Sequence, residues 1–172
     1  MKLSPSSFST SISIKIHFTG VCPIDNPNYA SIDGSCYYFN TNGGNKPTAK
    51  ETCQSLNGTL WEPKTLDEIE KVKSKAFEIV QNGKWWWIGI SDDSVEGVWQ
   101  YDSNGENFLI DPWTGTEPNG GTIENCAIIA SYPTYSNTFI DVSCSDKNWY
   151  SICHLQSASQ SISSTPSIYF NF

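Results

Sequence analysis

The chain predicts an α+β domain, with two helices in its first half and a strand-rich second half, and three observations carry this. Stretches beginning near residues 48 and 65 each join a helix-start signal to apolar residues at helical spacing. Runs of aromatic and β-branched residues follow from residue 85 onward. Six cysteines, Cys22, Cys36, Cys53, Cys126, Cys144 and Cys153, form an even set with no C-x-x-C pair, which favours a disulfide framework over a zinc or thioredoxin-type site. At 172 residues the chain is long enough for one domain with a real core and too short to expect two.

Composition narrows the partners. Charged residues make up 16% of the chain and aromatics 13%, seven of them Trp, so disorder throughout is excluded. The ten basic residues are all lysine and the net charge is −8. A nucleic-acid surface needs clustered cations, with Arg as the usual phosphate fork, so nucleic acid is excluded. No apolar run approaches the roughly 20 residues of a spanning helix, which argues against membrane insertion. Excess carboxylate favours a divalent cation as partner.

Residues 1–20 and 157–172 are rich in Ser and Thr and read as flexible ends around a domain at 21–156. The N-terminal segment interrupts its apolar residues with Ser, Thr and Lys15. It is a poor or truncated secretory signal, since that needs about 7 to 15 continuous apolar residues. The cysteines nonetheless point to an oxidising compartment and hence to secretion.

Within the domain, CYYF at 36–39 is a short aromatic strand followed by the turn-rich NTNGGNKP. Thr48-Ala-Lys-Glu51 matches a capping box and predicts a helix with Ala49, Cys53 and Leu56 on one face, stopping at Asn57-Gly58. Thr65-Leu-Asp-Glu68 repeats the device, and Leu66, Ile69, Val72, Ala76 and Val80 follow at helical spacing until Asn82-Gly83. Strands are then expected at 85–90, 98–101, 125–132, 139–144 and 150–155. The segment Asp102–Thr122 has no period, and a structureless loop of about 20 residues inside a compact domain is usually a binding loop. Its end, together with the following cysteine, reads TEPNGGTIENC at 116–126, a cluster of Glu and Asn oxygens on a Gly-rich turn.

Taken in order, CP at Cys22-Pro23, GSCYYF, the helix carrying Cys53, WIGI at 87–90, DxxxEG at Asp92–Gly97, VW at 98–99, EPN, ENC, DVSC and ICH resemble a C-type lectin domain over residues 21–156. The resemblance implies two helices, a mainly antiparallel sheet, a long calcium-binding loop and three disulfides. Six cysteines allow roughly fifteen pairings; the resemblance implies Cys22 with Cys36, Cys53 with Cys153, and Cys126 with Cys144. The last bridge would give the donor loop a rigid base.

Ca²⁺ takes about 6 to 8 oxygen ligands in irregular geometry. Carried over from the family's sugar-binding members, the ligands of Ca²⁺ and of the sugar are Glu117, Asn119, Glu124 and Asp141, with a cis bond before Pro118. EPN rather than QPD resembles the members that take mannose, fucose, glucose or N-acetylglucosamine. Two neighbouring hydroxyls of the sugar would complete the metal shell. Trp113, Tyr132 or Tyr135 would line the rim. A weak second metal site would use Asp92, Glu96 and Asn125, with Gly120 where the family has an acid.

One departure bears on affinity. Where the family has WND this chain has Phe139-Ile140-Asp141, which removes one amide from the metal shell and the sugar contact. Asn137 shares a strand face with Asp141 and could replace it through a bulge. The reading is therefore a secreted, calcium-dependent glycan-binding module of the innate-immune or cell-adhesion type. The alternative is a calcium-independent domain of the same fold that binds a protein partner or a mineral surface. Single sites bind monosaccharides weakly, so avidity would call for a homo-oligomer, although no stretch specifies one. Trp85, Trp86, Trp87 and Trp99 are core aromatics. Asn57-Gly58-Thr59 satisfies the N-glycosylation pattern, making a glycoprotein the expectation. Catalysis has no support: His17 and His154 lack an evident nucleophile, and Glu117 and Glu124 serve better as metal ligands than as a glycosidase pair.

Overall fold

The computed structural model describes residues 22–132, 139–146 and 148–156. The strands are β1 (Tyr29–Ile32), β2 (Ser35–Gly44), β3 (Gly58–Leu60), β4 (Trp85–Ser91), β5 (Gln100–Tyr101), β6 (Cys126–Ala130), β7 (Phe139–Val142) and β8 (Trp149–Leu155). The helices are α1 (Lys46–Ser55) and α2 (Leu66–Val80). The sheet runs β1-β2-β8-β4-β6-β7, with β3 on β8 and β5 on β4. The β4–β8 pair is parallel and the others antiparallel. The predicted α+β class holds, with two strands, β1 and β3, that the sequence reading left out.

The first helix begins three residues ahead of its expected signal, whereas the second begins on it. In α1 the cap is Asn45, whose Oδ1 accepts from the Thr48 N–H at 3.0 Å. Thr48, expected as the cap, lies inside the first turn. Pro47 explains the shift: it has no N–H to lose and its fixed φ suits a first helical turn, so the helix starts before it rather than after. The chain leaves α1 through Leu56 and then Asn57 at φ 59°, as the Asn-Gly signal predicts. In α2 Thr65 is the cap and accepts from the Glu68 N–H at 3.1 Å. Glu68 does not close a capping box; its carboxylate accepts from the Lys64 N–H (2.8 Å), Trp61 Nε1 (2.7 Å) and the Tyr37 hydroxyl (3.0 Å). Ile69, Val72 and Ala76 are buried, whereas Leu66, expected beside them, is exposed. At 3.6 residues per turn Leu66 points roughly a quarter-turn away from their shared direction. The helix ends on Gln81 in the left-handed region, one residue before the expected Asn82-Gly83.

The turn-rich NTNGG stretch is also strand. β2 continues to Gly44, which pairs with Trp149, across a register shift after Asn40. The Asn40 amide donates to Ser151 Oγ at 3.2 Å and to the Asn42 carbonyl at 3.3 Å, so side-chain hydrogen bonds hold the irregular segment in the ladder.

The core lies on both faces of the sheet. Trp86, Ile88 and Ile90 of β4 join Phe39, Trp61, Phe139 and the buried face of α2, while Trp87 joins Ala49, Cys53, Leu60, Ile128 and Leu155 on the α1 side. With both faces covered, β4 reads as a continuous apolar run rather than an alternating one. Trp86 and Trp87 are fully buried and Trp99 is buried, as expected for core aromatics. At Gly89 a methyl group would stand 2.9 Å from the Leu60 carbonyl oxygen, so only glycine allows β4 this close to the end of β3.

All three disulfides pair as the resemblance implies: Cys22–Cys36, Cys53–Cys153 and Cys126–Cys144. Cys53–Cys153 ties α1 to β8 across a sequence separation of 100. Cys36 pairs with Leu155, so the bridge from Cys22 sets the start of the described domain beside its end.

Candidate functional site

The donor loop rests on an aromatic base. Trp113 packs on Trp99 with ring centroids 4.6 Å apart and edge-on to Phe139 at 6.0 Å, and Phe108 stacks on Phe139 at 6.1 Å. Backbone bonds from Phe139 N to the Pro112 carbonyl (3.2 Å) and from Thr114 N to the Phe139 carbonyl (3.1 Å) fix the loop to the start of β7. Trp113 thus belongs to the floor of the loop. Tyr132 follows the end of β6 remote from Cys126, with its ring against Gly83, and so does not line a rim around Asp141. Tyr135 and Asn137 lie outside the described residues.

Beyond this base the chain turns at Thr114, whose carbonyl accepts from the Glu117 N–H at 3.0 Å, and the Glu117–Pro118 bond is cis. Asp141 of β7, only 4% exposed, then receives the loop. Its Oδ1 accepts from the Asn119 N–H at 3.1 Å and its Oδ2 from the Gly120 N–H at 2.7 Å. A single 3-10 turn at Gly121–Ile123 leads to Glu124, whose side chain lies directly against Gly120; any side chain at 120 would displace it. The four expected ligands therefore fall on one loop and one strand. Glu117 and Glu124 are half-buried and Asn119 is exposed.

The electrostatics are those of crowded carboxylates. A hydrogen bond shared with Asp141 pushes the Glu117 pKa up to about 7, and burial and the charges of Asp141 and Glu124 add to it. Burial raises the Glu124 pKa too, helped by Asp141 and Asp146. At Asp141 burial would act in the same direction. It is outweighed by hydrogen bonds from Glu117 and the Gly120 and Asn119 amides, which hold its carboxyl below the usual range. A proton on Glu117 thus relieves the repulsion that a cation would relieve. Among the described residues no three His, Cys, Asp or Glu side chains form a ready-made metal cage. The donor chemistry, all oxygen from carboxylate and amide, is nonetheless the kind Ca²⁺ takes.

Ile140 points the other way. It is half-buried against the core cluster that contains Ile128 and Val142, on the face of β7 opposite Phe139 and Asp141.

The second set adjoins the first. Asp92 N donates to the Asn125 carbonyl at 3.3 Å, which places Asp92 beside Glu124 and Asn125. Asp92 is 4% exposed; its Oδ2 accepts from the Gly97 N–H at 2.9 Å, while its Oδ1 is buried without a partner. Asn125 Oδ1 is also buried and unpartnered. Glu96 faces Gly121, where an added methyl group would stand 4.0 Å from its Oε1. Two orphaned acceptor oxygens beside an exposed carboxylate are unusual, because an unsatisfied buried oxygen costs about 1–3 kcal/mol.

Sequence reasoning missed Asp146, whose charge acts on Glu124, and Lys46 with Asp102, a buried pair 3.0 Å apart beside the end of β4. A lysine in an Asn- and Gly-rich stretch carries no signal of burial. His154, 5.2 Å from and stacked on Tyr37, is a packing element whose pKa burial lowers. Asn57 is exposed at the end of α1.

Comparison with known proteins places these features. The family model described as Lectin C-type domain matches residues 42–155. A tetranectin-like protein of Carcharhinus perezii is 31% identical over 118 residues, covering 69% of this chain and 70% of its own. Of two other curated relatives the chain spans only 41% and 39% of the length. Among solved structures, the cow C-type carbohydrate-recognition domain of CD23, determined with a GlcNAc2Man3 oligosaccharide, superposes with a TM-score of 0.64 at 24% identity, over 78% of this chain and 95% of that one. A calcium-independent type II antifreeze protein superposes with a TM-score of 0.63 at 22% identity, over 80% and 96%. No helix of the described residues is long and apolar enough to cross a membrane.

Proposed function

Because the chain belongs to the C-type lectin domain family, we propose that it is a secreted glycan-binding module that holds mannose-type sugars through Ca²⁺ at Glu117, Asn119, Glu124 and Asp141. The observation that carries this reading is the buried Asp141 carboxylate, which holds the loop through the Asn119 and Gly120 N–H groups with Glu117 and Glu124 close enough for the crowding to raise their pKa values. Such a cluster is costly without a cation, and its oxygens suit calcium. A bound Ca²⁺ would supply direct coordination of two neighbouring sugar hydroxyls. The chain's own residues orient them: the carboxylates of Glu117 and Glu124 accept hydrogen bonds from hydroxyl protons, and the amide of Asn119 donates to a hydroxyl oxygen. The Asp141 carboxylate fixes the loop backbone at Asn119 and Gly120, so the donors are set before the sugar arrives. The unpartnered oxygens of Asp92 and Asn125, with Glu96, support a second cation next to the first. Oligomerisation and an N-glycan on Asn57 belong to the same reading.

Calorimetric titration with mannose in Ca²⁺ and in EDTA tests it. Binding in calcium alone, with elution from mannose-agarose by EDTA, supports the proposal; no sugar heat at millimolar calcium sinks it. A second reading draws on Ile140, whose packing into the core withholds a donor from the shell, and on the calcium-independent antifreeze relative of the same fold. In that case the domain binds a protein or mineral surface, and its binding is unchanged in EDTA.

A further inference from the structure

We propose that Lys46 is a positioning residue for the cation loops, acting through its buried ion pair with Asp102. The inference rests on the calcium reading above. Lys46 Nζ donates to the Ile90 carbonyl at 2.8 Å and meets both Asp102 oxygens, Oδ1 at 3.1 Å and Oδ2 at 3.0 Å. Asp102 Oδ1 also accepts from Ser91 Oγ at 2.8 Å, and the Asp102 N–H donates to the Gly89 carbonyl at 2.9 Å. The backbone N–H of the same lysine donates to the Cys144 carbonyl at 3.2 Å. One residue therefore fastens the last residues of β4, which lead into Asp92 and Glu96, to the cysteine that follows β7 and its Asp141. Between these points Ser91 pairs with Cys126, beside Glu124 and Asn125.

Packing alone does not call for this arrangement. The Lys46 and Asp102 side chains are 7% and 10% exposed, and taking two charges out of water costs several kcal/mol per ion, so an apolar pair would serve a purely structural role as well or better. What the ammonium adds is direction, because its three N–H groups reach a carbonyl and a carboxylate at once. The pair also lies at the wall of a cleft of about 380 Å³ lined by Lys46, Lys50, Ser91, Asp102, Cys126 and Cys144. On that side the loop ends are braced by these hydrogen bonds together with the Cys126–Cys144 bridge.

Three variants of the full chain separate the roles: Lys46→Met, Lys46→Met with Asp102→Leu, and Lys46→Arg. Each is measured by calcium titration, by thermal denaturation in EDTA and by amide hydrogen exchange in EDTA at Asp92, Asn119 and Gly120. The double variant is expected to melt near the wild type yet to bind calcium on the order of fivefold more weakly, with faster exchange at all three amides. Lys46→Arg keeps the charge and should recover part of the affinity, and it serves as the reading if the methionine variants do not fold. Wild-type calcium affinity in the double variant, or in the arginine variant no difference from methionine, overturns the proposal. A wild type that takes up no calcium sinks the calcium reading instead. The exchange rates then still decide whether Lys46 braces the loops, and unchanged rates overturn that as well.

Discussion

Asp141 and Gly120 meet through a 2.7 Å hydrogen bond in which a buried β7 carboxylate accepts the N–H of a loop residue. The same carboxylate takes the Asn119 N–H and a hydrogen bond from Glu117, so one side chain organises the whole donor loop. Its lone pairs are filled by protein when no cation is present, and that makes cation binding an exchange rather than a simple addition.

Calcium uptake should therefore release a proton. With the Glu117 pKa at about 7, affinity is expected to rise from pH 6 to pH 8, approaching tenfold per pH unit on the acid side. Calorimetry at pH 6 in buffers of different ionisation enthalpy should give close to one proton released per calcium, and no release would refute the raised pKa of Glu117. The calcium-free fold has the opposite dependence. A carboxyl whose folded pKa lies above its unfolded value contributes stability that is present at low pH and lost as pH rises through about 7. The melting temperature in EDTA should fall between pH 6 and pH 8, and calcium should remove the fall.

The order of donors around Pro118 should select the sugar. Glu117→Gln with Asn119→Asp exchanges acceptor and donor across Pro118 and is expected to move preference from mannose toward galactose. A glycan array with an unchanged ranking would show that these two side chains do not choose the ligand.

Ile140→Asn tests the missing amide. A hydrogen bond to a charged or coordinated group is worth about 1.5–3 kcal/mol, so a rise of about tenfold in monosaccharide affinity would show that an amide at 140 turns toward the site. Held on the face of β7 away from Asp141, it is expected to leave affinity unchanged. Because Ile140 packs against the core, the variant should lose about 1 kcal/mol or more of stability. Loss of stability with no gain in sugar titrations would mean that position 140 does not reach the site.

Asn125→Leu separates a second cation from an accident of packing. In EDTA the change removes a buried amide oxygen without a partner, so the melting temperature should stay level or rise. In calcium the variant should lose the weaker of two binding events. Two intact events in the variant would remove Asn125 from the metal shell.

Glu68→Ala should be strongly damaging for a change outside the apolar core. It leaves Trp61 Nε1, the Tyr37 hydroxyl and the Lys64 N–H without their acceptor. A cost of about 2–4 kcal/mol is expected in urea denaturation, against about 1 kcal/mol for the loss of the Thr65 cap alone.

Period and punctuation made much of this molecule legible. The buried stripe of α2 and the aromatic β4 are written in local sequence, while the disulfide pairing is implied by the family resemblance and not by the cysteine spacing itself. What stayed hidden depends on distant partners. NTNGG reads as turn because Asn and Gly favour turns, yet Asn40 finds Ser151 more than a hundred residues away and stays in the sheet. Leu66 has the right residue type and the wrong angle. At the site, EPN and Asp141 could be named from motifs. The crowding of Glu117 against Asp141, the unpartnered oxygens of Asp92 and Asn125, and the buried Lys46 could not, since each depends on the closeness of groups far apart in the chain.

The bridge from Cys22 to Cys36, with Cys36 alongside Leu155, brings the first and last described residues to one corner of the domain. A unit tethered at neighbouring points behaves like a bead on a thread: it can be inserted into or repeated along a larger polypeptide without parting its own sheet. If the domain holds sugars as proposed, spacing between such beads, rather than reshaping of any one of them, would tune how many are gripped at once.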